Sequence, residues 1–121
     1  MALVESLIAV LIFVIGILGL MGLQASMTKN TVDARYRVEA AYVAQKRIAE
    51  IWATPSAIRG NLAEQNADIA AESGLPGGVR DTLRGAPEEG CNGNPDCYVV
   101  EVRWTPPGSV QHKYSIVSHI Q

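Results

Sequence analysis

Several residue types are scarce in this sequence, and each shortage narrows the possible functions. Proline is absent before Pro55, and glycine is absent between Gly22 and Gly60, so this region contains no strong helix breaker. Ten Lys and Arg are set against twelve Asp and Glu, which argues against a nucleic-acid binder that relies on overall basicity. Charge is almost missing from residues 1–28, where Glu5 is the one ionised side chain. The chain therefore combines an apolar segment with a polar one.

The apolar segment is long enough to cross a membrane. Residues 6–23 read SLIAVLIFVIGILGLMGL, and no charge follows before Lys29. About 20 apolar residues in a helix span a bilayer core. A cleavable signal peptide has a basic region before its apolar run, and none is present here. We therefore predict a spanning helix, or a helix buried in an apolar bundle.

Glu5 allows two interpretations. At the headgroup level, its carboxylate would interact favourably with the positive end of the helix dipole. Inside an apolar assembly, it would need a cationic partner, since a buried charge is tolerated only when it is paired.

The run MALVESLIAVLIF, Met1 to Phe13, resembles the start of a mature type IV pilin. Together with the continuation to residue 53, it is most similar to PilV-type minor pilins, which are related to the I-type minor pseudopilins of type II secretion. The resemblance implies that Met1 is the processed, N-methylated residue. It also implies that Glu5 pairs with the terminal amine of a neighbouring subunit. The short basic leader of the family is absent, so the numbering is expected to start at the mature residue. Gly22 stands where many pilins have proline.

The resemblance also implies a function and a location. The expected role is a structural minor pilin in pilus assembly initiation, with a place at the tip in adhesion and twitching motility as a further expectation. Partners would be other minor pilins, the major pilin and a prepilin peptidase. The subunit would sit in the bacterial inner membrane, its head in the periplasm, before joining an extracellular pilus. The alternative is a type II minor pseudopilin, and a less favoured one is a single-pass adhesin or other membrane-anchored binding protein. No nucleic acid, small-molecule substrate or cofactor is implied.

Three glycines recur in the apolar segment, at Gly16, Gly19 and Gly22. Small residues allow helices to approach closely in apolar surroundings, whereas glycine weakens a helix. We therefore expect either helix packing or local melting here.

The composition of residues 24–53 favours a continuation of the helix, which would be ~80 Å long over residues 1–53. Helical periodicity places apolar residues on two stripes, one for the chain's own head and one for neighbouring subunits; a single broad buried face is the alternative. The candidate packing residues are Val32, Tyr36, Val43, Ile48, Ile51 and Trp52. Pro55 should end the helix.

The remainder predicts an α+β chain, in which a small antiparallel sheet packs on the second half of the helix; the resemblance implies the type IV pilin fold. Residues 98–104 and 112–120 alternate as a hairpin, and 79–84 is a weaker candidate for an edge strand. Asn61 and Glu64 resemble a capping box that starts a short helix over 61–73. The expected organisation is an apolar half at 1–28 and a head at 29–121. The head comprises helix at 29–53, a variable loop region at 54–90, and the disulfide loop with its hairpin at 91–121.

Cys91 and Cys97 are the only cysteines, and an extracytoplasmic head favours a disulfide between them. Two cysteines alone do not make a zinc site. Asp81, Glu88, Glu89 and Asp96 are acidic, but their spacing matches no EF-hand loop. No metal site is predicted, and the absence of catalytic motifs predicts that the chain is not an enzyme.

Overall fold

The computed structural model describes residues 1–87 and 90–120. Its dominant element is helix α1, Ala2–Ala53, which confirms the predicted long N-terminal helix. The helix ends before Pro55, where Arg59 donates from Nε to the carbonyl oxygens of Ile51 and Thr54, at 3.0 and 3.2 Å. These bonds supply donors to carbonyls at the helix C-terminus that lack an intrahelical i+4 partner; the Ile51 carbonyl also accepts from the Thr54 N–H at 3.3 Å.

The chain divides into two compact units, Met1–Arg35 and Tyr36–Gln121. The first unit is entirely helical after Met1. The second unit, called the head below, contains the last part of α1 and all the strands.

The head contains one antiparallel sheet of four strands in sequential order, β1-β2-β3-β4. The strands are β1 (Glu64–Asp68), β2 (Val79–Arg84), β3 (Cys97–Trp104) and β4 (His112–His119), preceded by a 3-10 turn at Arg59–Leu62 and interrupted by α2 (Ala70–Ser73). Strands β3 and β4 form the predicted hairpin, paired from Cys97–His119 to Trp104–His112. The molecule is thus α+β, as expected.

The core lies between one face of the sheet and α1. The alternating residues of β3 that were predicted to share a face are all buried there: Tyr98, Val100, Val102 and Trp104. They form one cluster with Ala40, Val43, Ala44 and Ile51 of the helix. Because alternate residues of a strand point to opposite faces, the intervening Cys97 and Val99 lie in a second, smaller cluster with Cys91.

The predicted helix over 61–73 is wrong. Residues Glu64–Asp68 form strand β1, and the only α-helical residues in the interval are Ala70–Ser73. Glu64 does not cap a helix; its carboxylate accepts hydrogen bonds from Arg80 and Thr82 of β2. These long-range bonds override the local capping signal, and the polar sequence EQNAD carries no strand periodicity that would have indicated β1.

Residues 79–84 form a strand, as predicted, but not at the edge. Strand β2 lies between β1 and β3, and it pairs with β3 over its whole length. The sequence VRDTLR resembles an edge strand because its polar residues look solvated. In the structure, Arg80 and Asp81 form ion pairs with Glu64 and Arg103. Their charges are thereby compensated within the sheet.

Candidate functional site

The first candidate site is the apolar unit, Met1–Arg35. Its large apolar side chains are exposed from Leu3 to Met27, and an 18-residue window has a mean hydropathy of 2.8 with none of its residues buried. A helix of this length and composition is a candidate membrane anchor. Exposed apolar surface on this scale favours an apolar environment over water.

Glu5 lies in the first turn of α1, where its backbone N–H donates to the carbonyl oxygen of Met1 at 3.2 Å. Its side chain is exposed. Within residues 1–87 and 90–120, no cationic group lies within 4.0 Å of its carboxylate. The helix dipole favours an acid at this end, but a full countercharge would have to come from outside the chain.

Two hydroxyl groups of this segment, those of Ser6 and Thr28, are satisfied inside the helix. Ser6 donates to the carbonyl of Ala2 at 3.0 Å, and Thr28 donates to that of Gln24 at 2.9 Å. Such bonds to the preceding turn reduce the cost of exposing a hydroxyl to apolar surroundings. These two hydroxyl groups are therefore compatible with a lipid or protein interior.

Gly16, Gly19 and Gly22 lie in unbroken helix. Apart from the adjacent backbone of α1 itself, a methyl group added at any of the three would meet no atom within 4 Å. The fold of the single chain therefore gives no reason for glycine at these positions, which leaves close approach to another helix and local melting in an assembly as the two interpretations.

The candidate packing residues of α1 fall into two groups. Val43 and Ile51 are buried in the head core, and Tyr36 and Ile48 pack against it. Val32 and Trp52 are 40% and 54% exposed. The chain's own fold thus leaves part of this set uncovered.

Arg47 is a buried residue that the sequence did not single out. It lies on the core face of α1 and is only 9% exposed. Its guanidinium donates to Thr82 Oγ1 at 3.2 Å and to the carbonyl of Leu62 at 2.6 Å. It also forms ion pairs with Glu50 and Glu64. A buried arginine is tolerated because each end of its planar fork has an acceptor. Arg47 therefore ties the helix to strands β1 and β2.

A second ionic group lies on the sheet around Arg103. Its Nη2 contacts Asp81 Oδ2 at 2.6 Å and donates to Asn66 Oδ1 at 2.8 Å. Glu101 lies 3.4 Å from Arg103 Nε and 3.9 Å from Lys113 Nζ. These contacts cross all four strands and support their order. The carboxylates of Asp81 and Glu101 compensate the positive charges of Arg103 and Lys113, as in a structural ion-pair network.

The predicted disulfide between Cys91 and Cys97 is present, and both residues are buried. The enclosed loop is held by backbone hydrogen bonds from Asn94 to Cys91 and from Cys97 to Asn94. Ile120 donates to the carbonyl of Asp96 at 2.7 Å, which joins the loop to the end of β4. The disulfide therefore supports the hairpin and the C-terminal region together.

Of the acidic group in the sequence, Asp81 and Asp96 lie in the part of the chain that the structure describes. Asp81 is engaged by Arg103, and residues 1–87 and 90–120 contain no cluster of His, Cys, Asp and Glu suited to a metal ion. Glu88 and Glu89, which the sequence places in the same acidic group, lie outside the described residues.

The chain has no significant match among protein-family models, curated proteins or solved structures. Its function therefore has to be inferred from the residues and the geometry described above.

Proposed function

We propose that the chain is a structural subunit of a type IV pilus, namely a minor pilin that acts in assembly initiation. The observation that carries the proposal is the composition of helix α1. Its apolar, exposed N-terminal part holds a single carboxylate, Glu5, and its last part contributes one side of a head core. A helix of this kind serves both as a membrane anchor and as a filament element. The resemblance of residues 1–53 to pilins agrees with this arrangement.

In the proposed mechanism, residues 1–28 hold the subunit in the inner membrane, with the head in the periplasm. Extraction from the membrane then transfers the same apolar surface into a filament of parallel helices. A prepilin peptidase would process and methylate the amine of Met1. The partners are other minor pilins and the major pilin.

Glu5 acts as a register device in this mechanism. A carboxylate inside an apolar filament is tolerated only where a cation meets it. The terminal amine of a neighbouring, staggered subunit supplies that cation. Other registers leave both charges unpaired and are therefore disfavoured.

The head is built to persist outside the cytoplasm. Its disulfide is characteristic of oxidising compartments. The disulfide also stabilises the head, whose small size limits the hydrophobic core that it can bury. The Arg47 contacts tie the sheet to α1. These features support a periplasmic and then extracellular location.

The test is replacement of Glu5 in the bacterium that encodes the chain. We expect Glu5→Ala and Glu5→Gln to lower the amount in sheared surface filaments by about tenfold, the size of effect that 1.4 kcal/mol produces. The amount in the inner membrane should be unchanged. Glu39→Ala, at another acidic position of α1, is the matched control. Normal incorporation of the Glu5 variants would overturn the mechanism.

Capture of the native partners separates this proposal from its alternatives. Recovery of pilins supports the pilus, whereas recovery of secretion pseudopilins assigns the same assembly mechanism to a type II system. An unprocessed, unmethylated amine together with a normal Glu5→Ala phenotype would favour a single-pass binding protein.

A further inference from the structure

The face of α1 that points away from the head core carries a heptad pattern. We call this set of residues the outer seam: Val38, Tyr42, Gln45, Ala49 and Trp52. Successive members are alternately four and three residues apart, and all five are exposed. Val38, Tyr42 and Trp52 are 70%, 61% and 54% exposed. Heptad spacing of this kind allows one helix to pack along another.

The outer seam is not covered by the head. The buried residues of α1 are Ala40, Val43, Ala44, Arg47 and Ile51, which lie on the opposite side of the helix. The seam residues carry no charge, whereas the charged side chains of Glu39 and Lys46 lie beside them. A helix face that stays in water would be more polar than this seam, in which four of the five side chains are apolar or aromatic.

Gln45 is the exception within the outer seam, and it lies at the centre. Two seam residues precede it and two follow it. A single polar residue in an apolar seam fixes the register of two packed helices, because other alignments place its polar atoms against apolar side chains. A glutamine amide both donates and accepts hydrogen bonds, so it is complementary to a second glutamine amide. The amide of Gln45 in a second copy is therefore a suitable hydrogen-bond partner for the amide of Gln45.

The rest of the outer seam allows the alignment that brings the two Gln45 residues together. With two parallel copies in register, Tyr42 meets Tyr42 and Trp52 meets Trp52, and aromatic pairs of this kind are favourable when the rings are offset. A displacement of seven residues, ~10.5 Å along the helix, would instead place the Gln45 amide against Trp52 on one side and Val38 on the other. Val38 offers the amide no hydrogen bond, and Trp52 offers only its indole N–H, so the amide NH2 group is left without an acceptor.

Glu39 and Lys46, the charged residues beside the outer seam, do not oppose this alignment. Glu39 and Lys46 lie on one flank of the seam, and Ala41 and Ile48 lie on the other. In a parallel pair of helices, each flank faces the opposite flank of the second copy. Glu39 and Lys46 therefore do not meet their own copies, and the aliphatic stem of Lys46 can cover the apolar flank of the second copy. Arg35, three residues before Val38, continues the spacing and meets Arg35 of the second copy at the end of the seam, where both long side chains extend into water.

We propose that the outer seam binds the outer seam of a second copy of this chain, parallel and in register. The parallel orientation rests on the proposed function, since two copies anchored in one membrane by the same segment point the same way. The contact is isologous, so it closes at two copies. A staggered filament cannot contain it. The pair therefore forms while the subunits are anchored in the membrane, before filament assembly. It extends the proposed function, because it gives the subunit a second copy of itself as a partner before extraction.

The size of the outer seam agrees with a membrane-stage pair. The seam spans ~21 Å of helix, which is short for a stable dimer in dilute solution. Confinement in a membrane raises the effective concentration and makes a weak contact sufficient. A contact of this strength would also separate readily when a subunit leaves for the filament.

Cysteine cross-linking of the full chain, reconstituted alone in phospholipid vesicles, tests the contact. The native cysteines are both in the disulfide, so an introduced thiol is the only free one. Ala49→Cys keeps Gln45 and both aromatic residues of the seam. In register, its thiol meets the same thiol of the second copy. Arg37→Cys is the control for random collision, at an exposed position about 100° around the helix from Val38. We expect on the order of tenfold more dimer from Ala49→Cys than from the control.

The role of Gln45 is tested by adding Gln45→Glu to the Ala49→Cys variant. Two carboxylates would then face each other in the contact, and we expect about tenfold less cross-linked dimer because like charges repel. Gln65→Glu, at an exposed position of β1, is the same chemical change away from the seam and should leave the yield unchanged. An unchanged yield from Gln45→Glu would overturn the assigned role of this residue.

Three further results would overturn the proposal. Efficient cross-linking of Tyr42→Cys with Ala49→Cys, in excess of either alone, indicates a displaced contact. Efficient cross-linking of Val38→Cys with Ala49→Cys, but of neither with itself, indicates an antiparallel one. Equal yields from Ala49→Cys and Arg37→Cys indicate no specific contact. None of these measurements involves filaments, so a failure of the pilus proposal would be detected separately, by the Glu5 variants.

Discussion

Arg47 of helix α1 donates a hydrogen bond from Nε to Oγ1 of Thr82 in strand β2, across 35 residues of sequence and at 3.2 Å. Both residues are buried. Thr82 in turn donates to the carboxylate of Glu64 in β1. This chain of bonds joins the helix to two strands of the sheet in the head interior, where an unpaired charge would be costly.

Replacing Arg47 should therefore destabilise the head. We expect Arg47→Met to lower the free energy of unfolding by about 3 kcal/mol, because the carbonyl of Leu62 and the carboxylate of Glu64 lose a buried donor. Urea unfolding of the full chain in detergent, followed by near-ultraviolet circular dichroism, measures the change. The control is Lys46→Met at the exposed neighbouring position, where we expect a change within about 0.5 kcal/mol. Equal effects at both positions would contradict a structural role for the Arg47 contacts.

Ala44 and Ala49 lie on opposite sides of α1 and should respond differently to enlargement. Ala44 is fully buried in the core cluster between α1 and the sheet, whereas Ala49 is exposed. Ala44→Leu should cost about 1–3 kcal/mol through overpacking, and Ala49→Leu should change stability by less than about 0.5 kcal/mol. Thermal unfolding in detergent provides the comparison. A tolerated leucine at position 44 would contradict the close packing of the core around Ala44.

Removing the disulfide should weaken the head without changing its strand order. We expect the Cys91→Ser and Cys97→Ser double variant to lose about 2.4 kcal/mol, the chain-entropy value for a loop of about seven residues. Urea unfolding measures this loss, and a reducing agent should reproduce it in the unmodified chain. The same reducing agent should leave the double variant unaffected; a further loss there would mean that reduction acts elsewhere.

Two glycines should differ in their tolerance of alanine. A Cβ at Gly78 would lie 3.0 Å from Leu75 Cβ and 3.1 Å from the Leu75 carbonyl oxygen, whereas one at Gly16 would meet nothing within 4 Å. Gly78→Ala should therefore destabilise the head by roughly 1–3 kcal/mol. Gly16→Ala should leave head stability unchanged and increase helicity. Near- and far-ultraviolet circular dichroism separate the two effects, and a loss of helicity in Gly16→Ala would contradict the expectation.

The regular elements could be predicted where composition or periodicity gives a clear local signal. Helix α1 has no internal proline and an apolar segment, and Tyr98 to Trp104 alternate as a half-buried strand should. Strand β1 was mistaken for a helix because Asn61 and Glu64 form a plausible local cap, while the interactions that stabilise the strand come from β2 and α1. The inner position of β2 was missed because its charges are compensated by partners far away in the sequence.

The candidate sites also differ in whether they depend on neighbouring residues or on residues far away in the sequence. The isolation of Glu5 in an apolar segment is visible in the sequence, since it depends only on neighbouring residues. The burial of Arg47 is not visible, because a charged residue on a helix is ordinarily exposed. Periodicity also did not show which of Ile48 and Trp52, one helical turn apart, would pack against the core; Ile48 does, whereas Trp52 is exposed.

The sequence by itself determined the long helix, its apolar first part with one carboxylate, the hairpin and the pairing of the two cysteines. Each follows from local composition, periodicity or cysteine count. Only the tertiary structure decided the four-stranded order, the burial of Arg47 and which face of α1 stays uncovered. These depend on contacts between residues far apart in the chain, and a charged or polar residue becomes an interior one only when its distant partner is in place.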